Sequence, residues 1–208
     1  MDEKSHMKIW IILLAVFFIV IAAAGVYAAT SGQKNNSANE TDLGTIMINW
    51  YFPEYNQLIA KSDLIVVANV TDERGVWDTA DGKKPENISN YENETGKKAT
   101  ISTEYTFKTN EILKGTVNDT FLGRVKGGTA DGYTFAAMKV PSFDKGDIVL
   151  LFIQYPKDEN GNIIPMDYIQ IGEPDAFIQT SDGNFSNDYY GEISLDQLKK
   201  DIAATPAA

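Results

Sequence analysis

Residues 63–71 read Asp-Leu-Ile-Val-Val-Ala-Asn-Val-Thr, and residues 146–153 read Gly-Asp-Ile-Val-Leu-Leu-Phe-Ile. In the first stretch Leu64, Val66, Ala68 and Val70 alternate with Ile65, Val67, Asn69 and Thr71. A period of two with β-branched residues dominating is the pattern of a strand. Its start is apolar on both faces, and Asn69 marks where one face turns wet. Residues 148–153 are apolar on both faces throughout, so this strand is expected to be the most buried of its sheet. Outward from these two, Ile101, Thr103, Tyr105 and Phe107 share one register over 101–113, and Ile112 falls in the opposite phase. That change of phase predicts a β-bulge near Thr109–Glu111. Further strands read at 119–126, 133–139, 166–172 and 175–179, and the buried one extends over 147–155. Turns are written at Gly127-Gly128, Asp131-Gly132, Asn160-Gly161 and Asp182-Gly183, where glycine supplies the backbone freedom.

Two short helices flank the strands. Pro53 opens one that runs to Lys61, with Tyr55, Leu58 and Ile59 on one face. Ser194, with Gln197 three residues on, announces the other through a capping box, and Leu195, Leu198 and Ile202 form its apolar stripe. Short strands between short helices imply a mainly β fold: a closed or partly open antiparallel barrel, similar to the oligosaccharide/oligonucleotide-binding barrel, with a sandwich as the alternative. An N-terminal hydrophobic helix is expected to precede it.

That helix is residues 9–29, Ile9 to Ala29, a run without charge. At about 1.5 Å per residue it extends roughly 30 Å, the thickness of a bilayer core. It is either a retained membrane anchor or a signal peptide, and both readings stay open. Lys8 supplies a positive flank, and Val26-Tyr27-Ala28 resembles a processing site of the Ala-x-Ala type, as the signal-peptide reading requires. Residues 30–45, small and polar, are expected to be a disordered stalk. The barrel domain then covers 46–203, with a long loop over 72–100, and 204–208 form a tail.

Charge and composition exclude several chemistries. The chain carries 18 basic and 29 acidic side chains, a formal net charge of −11, which repels nucleic acid and anionic membrane surfaces. It has no cysteine and one histidine, His6. Disulfides, thiolate nucleophiles, lipid attachment to cysteine, Cys/His zinc sites and Ser-His-Asp triads are thereby removed. Neither a cofactor nor a metal is expected. Asn35, Asn39, Asn69, Asn87, Asn93, Asn118 and Asn184 each begin an Asn-x-Ser/Thr triplet without proline, against about two expected by chance, so glycosylation at these positions is expected. Export without cysteine suits a prokaryotic surface protein, and the sequons an archaeal one.

The series Ser62-Asp63-Leu64-Ile65-Val66-Val67, Trp77-Asp78, Thr103-Glu104-Tyr105-Thr106-Phe107, Ile112-Leu113-Lys114-Gly115, Gly127-Gly128, Pro141-Ser142-Phe143 and Gly146-Asp147-Ile148-Val149-Leu150-Leu151-Phe152 resembles an extracytoplasmic β domain of archaeal and bacterial exported proteins. Domains of that kind sometimes stand beside matrixin-type metallopeptidase modules. More distantly the series is similar to the netrin-like barrel of tissue metalloproteinase inhibitors. The resemblance implies a fold and a location but no catalytic residue. Those inhibitors depend on an N-terminal cysteine, so their activity is not implied.

Few residues carry chemistry. Ser142-Phe143-Asp144-Lys145 fits S-x-x-K without its companion motifs. Asp158, Asn160 and Asn162 have the spacing of a calcium loop, but Ile163 and Ile169 stand where an EF-hand needs Gly and Glu. Asp72, Glu73, Asp78, Asp81, Glu86, Glu92 and Glu94 supply carboxylates for glycoside hydrolysis, set among the basic Arg74, Lys83, Lys84, Lys97 and Lys98. Trp77, Asp78 and Asp81 are the binding residues this loop offers, Trp77 as a sugar or partner platform or as a cap on the barrel end. The expectation is an exported, glycosylated, non-catalytic cell-surface binding module, with an envelope protein or a glycan as partner and the membrane as a further contact through 9–29 if uncleaved. The alternative is a carboxylate-dependent hydrolase of envelope polysaccharide.

Overall fold

The structure, a computed structural model, describes residues 40–205. The hydrophobic segment 9–29, Asn35, Asn39 and the last three residues of the expected tail lie outside the described residues. Among those described, no helix is long and apolar enough to cross a membrane.

The fold is mainly β. Two strands of 14 residues form its spine, β2 (Leu64–Trp77) and β3 (Ile101–Lys114). Around them lie β1 (Thr41–Met47), β4 (Thr120–Lys126), β5 (Gly128–Ala130), β6 (Tyr133–Met138), β7 (Ile148–Ile153), β8 (Ile169–Gln170), β9 (Ala176–Gln179), β10 (Phe185–Asn187) and β11 (Gly191–Ile193). The helices are α1 (Tyr55–Lys61), α2 (Ile88–Thr95) and α3 (Leu195–Ala204). One sheet has eight strands in the order β11-β10-β9-β7-β2-β3-β4-β8, and a second has three, β1-β6-β5. The larger sheet curls into a half-barrel whose end strands, β11 and β8, do not pair, so it is partly open. Two pairs are parallel, β1 with β6 and β4 with β8, a departure from the expected all-antiparallel arrangement.

Alternation along β2 and β7 builds two cores. Leu64, Val66, Ala68, Val70, Val149 and Leu151 face inward with Tyr105, Phe107 and Phe143. Ile65, Val67, Leu150 and Phe152 face outward, under Leu58 and Ile59 of α1 and Leu198 of α3. Each such side chain removed from water contributes about 1.5–3 kcal/mol. Strand 148–153 is buried on both faces as its sequence implies, with Val149, Leu150 and Leu151 at 0% exposure.

The predicted bulge is present. Val67 pairs with Glu111 and Ala68 with Thr109, leaving Asn110 without a partner. A second bulge skips Thr71, since Val70 pairs with Phe107 and Asp72 with Thr106. The alternation breaks there, which is why residues 72–77 look like loop in sequence although they continue β2. The expected loop 72–100 thus contracts to 78–87 and a short stretch after α2. Asn87 caps α2 by accepting from the Asn90 amide at 2.9 Å, and Gly96 closes it at φ 66°. Residues 41–45, expected as the end of the stalk, belong to β1. Gly127-Gly128 is not a hairpin turn: with φ of 90° and 155° it kinks the chain from one sheet into the other. Asp131-Gly132 does turn the β5–β6 hairpin, both residues at positive φ. Ser194 accepts from the Gln197 amide at 3.2 Å, while the Gln197 side chain donates to Asp201 instead. The capping box is therefore half formed.

Candidate functional site

The residues singled out around 77–81 are largely engaged with the protein itself. Trp77 is 1% exposed. Its indole Nε1 donates to Asp131 Oδ2 at 2.8 Å, and its ring meets Tyr133 edge-on with centroids 5.4 Å apart. It packs with Ala99, Ile101 and Phe135. Trp77, at the end of β2, is therefore buried against β3 and the β5–β6 hairpin and presents no face to a sugar or partner. Asp78 accepts from Thr100 Oγ1 at 2.6 Å, Ser102 Oγ at 2.7 Å and Lys126 Nζ at 2.8 Å. Burial pushes its carboxyl up, and those three hydrogen bonds with the lysine charge more than reverse this, leaving it below the usual range. Asp81 is exposed and accepts from the Lys83 amide and Thr79 Oγ1 of its own turn, and the first of these leads in lowering its pKa. Asp78 and Asp81 thus act as braces of the 78–87 turn.

Beside Asp78, on the same face, the strand register assembles a charge triad. Arg74, Glu104 and Arg124 are directly opposed across β2, β3 and β4. Glu104 Oε1 accepts from Arg74 Nε at 2.9 Å and Nη2 at 2.6 Å. Its Oε2 accepts from Arg124 Nε at 2.7 Å and lies 2.7 Å from Arg124 Nη2. The Glu104 side chain is 2% exposed, Arg124 13% and Arg74 71%. Burial raises the Glu104 pKa, and the two guanidiniums overturn that and hold it below the usual range. Arg124 also stacks over Tyr168, 3.8 Å from its ring centroid. Sequence reasoning missed this triad because its members are 30 and 20 residues apart and meet only through the sheet register.

Among the described residues, two of the open clefts are large enough for a small ligand. The first, of about 610 Å³, is lined by Tyr55, Asn184, Tyr190, Glu192, Ile193, Ser194, Gln197 and Asp201. Tyr190 is clamped: its hydroxyl donates to Pro53 O at 2.9 Å, and its ring stacks on Phe177 at 5.7 Å. The buried Tyr55 hydroxyl has no hydrogen-bond partner, and burial, reinforced by Asp201, pushes it up to about 12. Asn184 Nδ2 donates to Glu192 Oε1 at 2.5 Å and Asp182 Oδ2 at 3.2 Å. The second cleft, of about 470 Å³, is lined by Tyr155, Met166, Tyr168, Ile169, Phe121 and Asn118 among others.

A hydrolase of the expected kind needs a raised carboxyl acid in a cleft beside a second carboxylate. Asp175 is the strongly raised one, pushed up to about 6 by burial, against the lowering effect of a hydrogen bond from Gly172. Glu173 is raised by burial and by Asp188. Asp175 lines neither cleft; its Oδ2 accepts from the Gly172 amide at 2.9 Å, capping a 3₁₀ turn over 173–175. A Cβ on Gly172 would lie 2.7 Å from Trp50, so this corner is closed by packing. Of the acids in 72–100, Asp78 and Asp81 are braced as above, and Glu92 accepts from the Ala99 amide.

The remaining motifs are loop structure. No hydrogen bond joins Ser142 to Lys145 among the described residues; their turn is fixed by Asp147 Oδ2, which accepts from the Asp144 amide at 2.8 Å. Asp158 accepts from the amides of Asn160 and Asn162 and from Asn162 Nδ2. Its oxygens close the Asn160-Gly161 turn, and among the described residues no group of three or more acidic or histidine side chains is placed to hold a metal. The five described sequons differ in setting. Asn87, Asn93 and Asn118 are exposed, Asn69 and Asn184 are half-buried. No protein-family model matches the chain, and no curated protein matches it.

Proposed function

We propose that this chain is an exported, N-glycosylated, non-catalytic cell-surface binding module, an OB-like half-barrel held at or released from the membrane by residues 9–29, that recognises a neutral or amino-sugar glycan of the cell envelope. The observation that carries the reading is the cleft walled by Tyr55 and Tyr190 and rimmed by Glu192, Gln197 and Asp201. An aromatic wall suits the apolar face of a pyranose ring, and carboxylates and amides suit its hydroxyls. Two carboxylates on the rim disfavour an acidic polysaccharide. The cleft replaces the 72–87 segment as the binding face, because Trp77, the aromatic platform of that segment, is buried and Asp78 is held by Thr100, Ser102 and Lys126. Asn87, which caps α2, and Asn93 within it are both exposed, so glycans there extend into solvent beside that segment.

The test is co-sedimentation of the full-length protein with neutral polysaccharide purified from the host envelope, with reducing ends assayed in parallel. Retention is expected without release of reducing ends. Glu192→Gln and Asp201→Asn are each expected to weaken retention about tenfold, since a hydrogen bond to a charged group contributes about 1.5 kcal/mol or more. Unchanged retention in both variants refutes the cleft, and release of reducing ends establishes the hydrolase alternative.

A further inference from the structure

The second cleft carries a glycosylation triplet in its wall. Asn118 lines it, as does Thr120, the hydroxyl residue of the same triplet. The loop that carries Asn118 is pinned to β3: Thr109 Oγ1 donates to Asn118 O at 2.8 Å and the Thr109 amide to Asp119 O at 2.8 Å. Among the described residues the Asn118 side-chain nitrogen donates to no group, whereas that of Asn184 donates to Glu192 and Asp182, and Asn118 is exposed. A glycan attached here therefore starts from a fixed backbone at the mouth of a cavity rather than from a swinging tip.

The lining suits a sugar. Tyr155, Tyr168 and Met166 supply flat or soft apolar surface, and Thr116 and Asp167 supply hydrogen-bonding groups. At about 470 Å³ the space falls in the range of small-molecule sites, roughly 300–1,000 Å³. Next to it the protein leaves apolar side chains bare: Ile163 is 51% exposed, Ile164 46% and Met166 45%. Three such side chains within four residues form a patch that calls for a cover.

We propose that the glycan on Asn118 folds back into this cleft, its first sugars lying against Tyr155, Tyr168 and Met166 and shielding Ile163–Met166. The inference rests on the glycosylation reading above. Attachment joins Asn118 Nδ2 to the anomeric carbon of a lipid-pyrophosphate-linked oligosaccharide; the nitrogen loses a proton and the lipid pyrophosphate leaves. The docked glycan then acts as a staple between the β3–β4 loop and the 155–169 segment.

The experiment compares the full-length protein from its glycosylating host with Asn118→Gln and Asn93→Gln, using glycopeptide mass spectrometry and amide hydrogen exchange over 163–169. Occupied Asn118 is expected, with exchange there at least about threefold faster in Asn118→Gln and unchanged in Asn93→Gln. Parent and Asn118→Gln made in a host without N-glycosylation are expected to exchange alike, which separates the glycan from the substitution. A bare Asn118 overturns the glycosylation reading at this site and the docking with it. An occupied Asn118 whose loss leaves exchange unchanged overturns the docking alone.

Discussion

Replacing Glu104 by alanine strands a guanidinium. Glu104 is 2% exposed and Arg124 13%, and Arg124 is held under Tyr168, so it cannot turn outward to water without breaking that stack. Removing one partner of a buried ion pair costs about 3 kcal/mol or more. In a domain of this size that corresponds to a fall in Tm of roughly 6–12 °C. Arg74 is 71% exposed, so Arg74→Ala is expected to cost less than about 1 kcal/mol. The double variant Glu104→Met, Arg124→Met removes both buried charges and is expected to recover to within about 1 kcal/mol of the parent. Urea unfolding of the four proteins gives the comparison directly. The triad also sets an acid limit. The arginines lower the Glu104 pKa, so its stabilisation is complete above the unfolded-state value of about 4.3 and is lost as pH falls through the lower folded value. Glu104→Gln is expected to flatten that acid limb. A folded Glu104→Ala that loses less than about 1 kcal/mol refutes the argument that the sheet depends on charge pairing here.

Asp175 carries the opposite sign. Its carboxyl is raised to about 6 by burial, so the stability associated with its protonation is present below about pH 4 and lost as pH rises through 6. Asp175→Asn, which keeps an acceptor for Gly172, is expected to stabilise the protein by about 1–3 kcal/mol at pH 7.5 and by little at pH 4; equal effects at both pH values would remove burial of the charge as the cause. Gly75→Ala is expected to cost about 2–3 kcal/mol, because the new Cβ would lie 1.8 Å from the Thr129 carbonyl oxygen where β2 crosses β5. A thermal scan within about 1 °C of the parent would show that the two sheets separate freely there.

How much of this is legible in the chain follows from particular residues. Leu64–Ala68 and Ile148–Ile153 announce stretches of strand buried on both faces, Ile112 out of phase announces a bulge, and Ser194 announces a helix. Each is a local pattern, and each stands in the structure. Thr71 shows the limit: one skipped residue inverts the alternation, and six residues of β2 pass for loop. Helix α2 has only Ile88 and Tyr91 as apolar signal, both partly buried against the cluster of Trp77, Ala99, Ile101 and Phe135, so periodicity does not find it; Asn87 and Gly96 are its sequence marks. Trp77 is an aromatic in an acidic stretch by sequence and a buried core residue by structure, because Tyr133 and Asp131 reach it from 54 or more residues away.

The sequence by itself determined the mainly β class, the two-faced burial of its central strands, the charge balance that disfavours polyanions, and the absence of thiol chemistry. These depend on residue type and on spacing within a few positions, which a chain carries in any conformation. The tertiary structure alone decided that Glu104 lies between two arginines, that Asp175 is desolvated away from the two clefts described, and that Asn118 opens onto a cavity while Asn184 is tied to Glu192. Those outcomes depend on strand register and on which loops cross, and register is fixed only when bulges, turns and both cores are satisfied together.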